Sequence, residues 1–210
     1  MKNLVRKMDK GELNRQLVFA AMIGNLTGVR DALSSGADVN ARDIEGIDGV
    51  SALNWAARNG KNDVVNYLID QGADINSRDS DNYTVLRRAV IGGHVETAGL
   101  LIDRGADTEA TDNNGFTPLM FAAFMKIRPI VEIFVEKDKN FSLEKLKEDL
   151  RKKLEKIKDP AKKVEMKICF SRILKEVVLC LGKETKLDAK TVKLPPKDKG
   201  TFRTMKRARC

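Results

Sequence analysis

The chain spells one motif four times. Aligned on its leucine, the motif places Leu17, Leu53, Leu86 and Leu119 in register, at spacings of 36, 33 and 33 residues. Self-similarity at such a period marks stacked supersecondary units, because one short unit cannot bury its own apolar face and must lean on a neighbour. The fullest copy starts at Asn113 and reads NNGFTPLMFAAF.

The register extends well beyond the leucine. Three residues later come the small pairs Ala20-Ala21, Ala56-Ala57, Ala89-Val90 and Ala122-Ala123. Gly24, Gly60 and Gly93 follow, with Lys126 in that place in the fourth copy. A second apolar run then leads to Gly36-Ala37-Asp38, Gly72-Ala73-Asp74 and Gly105-Ala106-Asp107, and the first three copies end at Asp43, Asp79 and Asp112. Both apolar runs of each copy keep helical spacing. Paired alanines let two helices approach closely, and a glycine after each run suits a left-handed stop. Thr84 and Thr117 stand where a first helix would begin and can cap its free N–H groups, and Pro118 takes the first helical position. Each copy therefore reads as helix, tight turn, helix, projecting turn.

Four such copies in register resemble the ankyrin repeat, over roughly residues 11–138. The fold class expected is all-α: an ankyrin-type α-solenoid of helix-turn-helix units with projecting β-turn or hairpin loops. The repeats fall at about residues 11–43, 44–79, 80–112 and 113–138, within a domain of residues 1–140. The first copy carries Arg15-Gln16 where Thr-Pro is expected, as a solvent-facing N-terminal unit requires. The second carries three extra residues before Leu53, within Ile44-Glu45-Gly46-Ile47-Asp48-Gly49. That insertion is either a tolerated longer loop or an enlarged binding finger with Ile44 and Ile47 as apolar contacts. The fourth copy replaces the closing glycine with Asp138, and the array stops there.

The resemblance implies noncatalytic binding of a partner protein through a concave face lined by the projecting turns and the exposed side of the first helices. Mapped residue by residue, that face holds Arg42, Ile44, Val50, Arg58, Asn59, Arg78, Asp81, Tyr83, Ile91, Thr111, Asn114, Phe116, Phe124 and Met125. Tyr83, Ile91, Phe116, Phe124 and Met125 are larger and more apolar than exposure favours, which marks a protein-contact patch. Phe124 and Met125 equally suit packing against whatever follows the last repeat. Trp55, with Phe19, Arg88 and Phe121 in the same place of other copies, reads as core or half-core. A Tyr83→Ala/Phe116→Ala pair is expected to weaken partner binding and spare the melting temperature.

The last third differs in kind. Through residue 140 there are 17 Lys/Arg against 20 Asp/Glu, and from 141 onward 22 against 10, so the net charge of +9 sits in the C-terminal part. Leu143, Leu146, Leu150, Leu154 and Ile157 share one face of a helix begun at Ser142. Asp159-Pro160 stops it and starts a second, strongly apolar helix that runs to about Leu181, with Gly182 as its stop. Residues 141–182 thus form a helical hairpin, which either closes the open end of the fourth repeat or faces a partner helix or second copy. Residues 183–210 hold ten basic and three acidic residues and two adjacent prolines. Such a tail has the composition of disordered chain. It is either a solvated tail or an electrostatic contact for nucleic acid or an acidic partner.

No catalytic or cofactor set emerges. His94 is the single histidine; without a nearby thiol or carboxylate pattern it makes a poor metal site, and it gives no credible Ser-His-Asp set. Its place after Gly93 matches the packing histidine that the resemblance implies. Gly182-Lys183-Glu184-Thr185 lacks the earlier glycine and the Ser/Thr of a phosphate loop, since Val177 stands where that glycine belongs. Asp79-Ser80-Asp81 lacks the closing glutamate of a calcium loop, with Val90 in its place. Cys169 and Cys180, eleven apart on one helix, are about 16 Å apart and cannot pair there. With Cys210 they suit a reducing cytoplasm, for a host regulator or a protein delivered into a host cell. Charges interrupt every apolar stretch too soon for a membrane span, and the expected state is a monomer.

Overall fold

The chain is described here from a computed structural model covering residues 8–42, 49–138 and 141–182. Ten helices occur in those residues. Repeat one supplies α1 (Lys10–Ile23) and α2 (Leu26–Ser34), and repeat two α3 (Ala52–Arg58) and α4 (Asn62–Asp70). Repeat three supplies α5 (Val85–Gly92) and α6 (Val95–Asp103), and repeat four α7 (Pro118–Phe124) and α8 (Arg128–Lys137). Helices α9 (Leu143–Lys156) and α10 (Pro160–Cys180) follow. The inner helices α1, α3, α5 and α7 pack side by side, and the outer helices α2, α4, α6 and α8 form a second layer behind them.

The four leucines occupy equivalent sites between these layers and are all buried. Each contributes roughly 1.5–3 kcal/mol by leaving water. The alanine pairs lie at the helix contacts, nearly all fully buried. At the helix starts, the Thr84 and Thr117 hydroxyls accept from the Arg87 and Met120 N–H groups, each at 3.2 Å. Ser51 takes the same place in repeat two and accepts from Asn54 N–H. One apolar core runs without a break from Leu17 to Val177.

Polar side chains tie each turn to the next. Asn40 Oδ1 accepts from Asp74 N–H and Asn76 Oδ1 from Asp107 N–H, both at 2.9 Å. The fingers close with isolated antiparallel bridges, Arg42 to Ser51 and Arg78 to Thr84. His94 stands at the start of α6 without a side-chain capping bond, and its ring lies against Gly60, where a β-carbon would come within 2.5 Å of its Nδ1. Lys126 holds the left-handed conformation of the glycines it replaces, at φ 60°. Asp138, by contrast, is at φ −76°, not in the left-handed conformation that Gly105 takes at the same place in repeat three.

The two C-terminal helices meet the end of the stack on different sides. Helix α10 packs against α7 and α8, burying Cys169, Phe170, Ile173, Val177 and Val178. Glu176, 4% exposed, faces Arg128 of α8 at 3.1 Å. Helix α9 buries Leu146 and Leu150 and reaches the finger side, where Lys153 Nζ donates to the Gly115 carbonyl and Lys145 pairs with Glu109. Among the described residues no helix is long and apolar enough to cross a membrane. Ile44 and Ile47 of the insertion, and residues 183–210, lie outside the described residues.

Candidate partner-binding face

The inner helices bury the leucine and the small pair, which turns the residues two, five and six places after the leucine toward the face opposite the outer layer. Along the stack, the first of these positions holds Phe19, Trp55, Arg88 and Phe121. What each can offer a partner depends on its neighbours.

In repeats one and two the face is open. Phe19 is 58% exposed and Ile23, one helical turn further along α1, is 50% exposed. Trp55 on the adjacent α3 is half-buried, and the Arg58 guanidinium lies 5.3 Å from its ring centre. Asn59 is pinned rather than free, since its Nδ2 donates to the Met22 carbonyl at 3.0 Å and so links α3 to α1. Arg42 is exposed at the base of the first finger and donates to the carbonyls of Gly49 and Arg78. Arg78 repeats the arrangement one unit on, donating to Asn82 and to the Thr111 carbonyl.

In repeat three the face is closed by charge. Arg88 is 3% exposed and ion-paired with Asp79, and Arg87 is 4% exposed and pairs with Asp112 at 2.8 Å. These aspartates also shape the fingers: Asp79 Oδ1 accepts from the Asp81 and Tyr83 N–H groups, and Asp112 Oδ1 from those of Asn114 and Phe116. Arg87 lies 3.5 Å above the Phe121 ring centre and 5.3 Å from that of Tyr83. Desolvation pushes its pKa down to about 10, against the attraction of Asp112. Tyr83 is accordingly half-buried between guanidinium groups, while Asp81 stays exposed, 3.8 Å from Arg88. Ile91 is half-buried and Asn114 exposed.

In repeat four the face is covered by α10. The Phe116 ring packs against Phe124 and Phe170, with centroids 6.2 Å and 6.3 Å away, and Arg172 lies over Phe124. Of the aromatics that sequence placed on an open surface here, Phe116 and Phe124 are therefore half-buried packing residues, and Met125 keeps 51% exposure. Val50 departs furthest from its expected place. It is 2% exposed and presents no surface to a partner, because a small β-branched side chain at the finger–helix junction turns inward. Phe19 and Ile23 were missed as face residues. The signal was present: Leu17, Ala20 and Ala21 fill the core positions of α1, which leaves an apolar pair at i and i+4 with no core to enter.

Two matches to a family model described as ankyrin repeats (3 copies) cover residues 17–112 and 71–145. A stretch of 80 residues is 35% identical to the palmitoyltransferase Hip14 of Drosophila melanogaster, covering 38% of this chain and 12% of that protein. Another of 64 residues is 38% identical to serine/threonine-protein kinase 12 of Arabidopsis thaliana, covering 30% of this chain and 13% of the kinase. A third of 67 residues is 33% identical to ankyrin repeat domain-containing protein 40 of Mus musculus, covering 32% and 18%. The alignments thus span less than a fifth of each relative, so the activities in two of those names are said of those proteins. The register of four leucines, the glycine stops and the family match agree. The chain belongs to the ankyrin repeat family, whose repeats generally serve as protein–protein interaction modules.

Proposed function

We propose that this protein is a noncatalytic binding module that grips a partner protein on the inner-helix face of repeats one and two. The observation that carries this reading is the exposure of Phe19 and Ile23 beside half-buried Trp55 and its stacked Arg58. Large apolar side chains left in water next to an arginine are what the centre of a protein interface uses. The same face is filled by paired charges in repeat three and by α10 in repeat four, which supports a footprint at the N-terminal half. The hairpin α9–α10 serves as the closing unit of the stack, since Phe170 and Ile173 bury the apolar side of α7 and α8 that a fifth repeat would otherwise cover.

The test is affinity capture with the full chain against a Phe19→Gln/Ile23→Gln variant. Both side chains are half or more exposed, so the thermal midpoint should stay within about 1 °C while captured partners are lost. Undiminished capture by the variant would move the interface elsewhere.

A further inference from the structure

The apolar patch of repeats one and two is edged by positive charge, and that asymmetry says what kind of segment fits it. Arg58 rides on the Trp55 ring. Arg42 and Arg78 at the finger bases donate to neutral carbonyls, so their hydrogen bonds leave their charge uncompensated. On the opposite edge the Lys61 stem crosses Gly24, directly after Ile23, where a β-carbon would meet its Cδ at 2.7 Å. Among the described residues none of these four cations has a carboxylate within ion-pair distance. Among the described residues, Asp79 is committed to Arg88 and Asp112 to Arg87, both buried. Exposed Asp81 sits at the third finger, beyond the patch, close to Arg88.

We infer that the partner presents an acidic, apolar segment here, with leucine- or phenylalanine-type anchors flanked by glutamate or aspartate. The inference rests on the inner-face reading above and adds the chemistry of the partner. Anchors would lie on Phe19, Ile23 and Trp55, where displaced water supplies the affinity. Carboxylates would meet Arg58, whose planar fork stays available at its edge while its face is held against the indole. A basic segment of equal hydrophobicity would place like charges at these four cations, and like-charge contact is how an interface rejects a wrong partner.

Trp55 is the single tryptophan of the chain, so its emission reports on this patch and on no other surface. The full chain is used to select from a random dodecapeptide phage library, and an enriched sequence is synthesised and titrated while tryptophan emission is followed. The expected result is enrichment of peptides that carry both acidic and large apolar residues, with a saturable change in emission. Arg58→Glu and Phe19→Ala should each weaken the peptide roughly tenfold, on the order of the loss of one interface contact. Enriched peptides that are neutral or basic, yet alter emission and depend on Phe19, would overturn the acidic chemistry and leave the inner-face reading standing. Acidic peptides that leave emission unchanged and bind Phe19→Ala as well as the parent chain would overturn both, placing the contact on the basic C-terminal third. No enrichment over the bare support would also overturn the inference.

Discussion

The ring of Phe116, in the fourth finger, meets the ring of Phe170 on α10 edge-on, with centroids 6.3 Å apart and planes at 64°. This contact joins the last repeat to the C-terminal hairpin through two aromatics, one half-buried and one 4% exposed. Phe170→Ala is expected to lower stability by about 3 kcal/mol, in the range for deleting a buried phenylalanine. Phe116→Ala should cost less, about 1–2 kcal/mol, because part of its ring already faces water. Urea denaturation of the two single variants and the double variant checks this, with a double-variant loss smaller than the sum. Strict additivity would mean that the rings do not share their stabilisation. The same placement reverses an expectation from sequence: a Tyr83→Ala/Phe116→Ala pair should lower the melting temperature, since both rings pack against neighbours.

What sequence made legible follows from which residues have one physical destination. A leucine three residues before a small pair at helical spacing can go only into a helix contact, and Leu17, Leu53, Leu86 and Leu119 all do. Threonine before a helix and glycine after it are read from backbone chemistry alone, and the caps and left-handed turns appear where those residues stand. Aromatics are different. Phe19 and Phe121 hold the same place in their repeats, yet Phe19 is open to water and Phe121 lies under Arg87. Their fate is decided by the element stacked beside them, which the period does not encode. Helix α10 has no counterpart in the repeat, so its cover over Phe116 and Phe124 could not be counted off the register. The burial of Arg87 was hidden for a related reason: it looks like a surface residue until Asp112, a finger away, is brought to it.

Lys126 offers a second check, on the turn chemistry itself. Its φ of 60° is the conformation that Gly24, Gly60 and Gly93 take in the other copies. A residue with a β-carbon is strained there by roughly 1–2 kcal/mol, and glycine returns part of that gain as unfolded-state entropy. Lys126→Gly should therefore stabilise the chain by about 0.5–1 kcal/mol in thermal or urea unfolding. The converse substitutions separate strain from collision. Gly93→Ala has no atom within 4 Å of the new carbon, so it should cost only backbone strain, about 1 kcal/mol. Gly60→Ala drives the carbon into the His94 ring and should cost clearly more. Equal losses at the two glycines would show that the imidazole moves aside freely.

Arg87 and Asp112 provide the last test, because their side chains are only 4% and 2% exposed and form one ion pair. The Arg87 pKa of about 10 lies below its ordinary, unfolded-chain value, with desolvation the leading cause. Between those two values the unfolded chain binds the more protons, so this group's contribution to stability rises with pH across that window. At neutral pH both states are protonated and the burial penalty is present in full. Removing the compensating charge alone should then be severe. Asp112→Asn keeps an acceptor for the Asn114 and Phe116 N–H groups but leaves a buried guanidinium without its counter-ion, at a cost of about 3 kcal/mol. Replacing both residues, as Arg87→Met/Asp112→Asn, should recover most of that loss, since an apolar side chain of similar length rests on the Phe121 and Tyr83 rings without needing a partner. A urea-denaturation cycle over the four proteins decides it. If the double variant is as unstable as the sum of the singles, the pair is not a coupled unit, and the Asp112 carboxylate acts through the finger backbone instead.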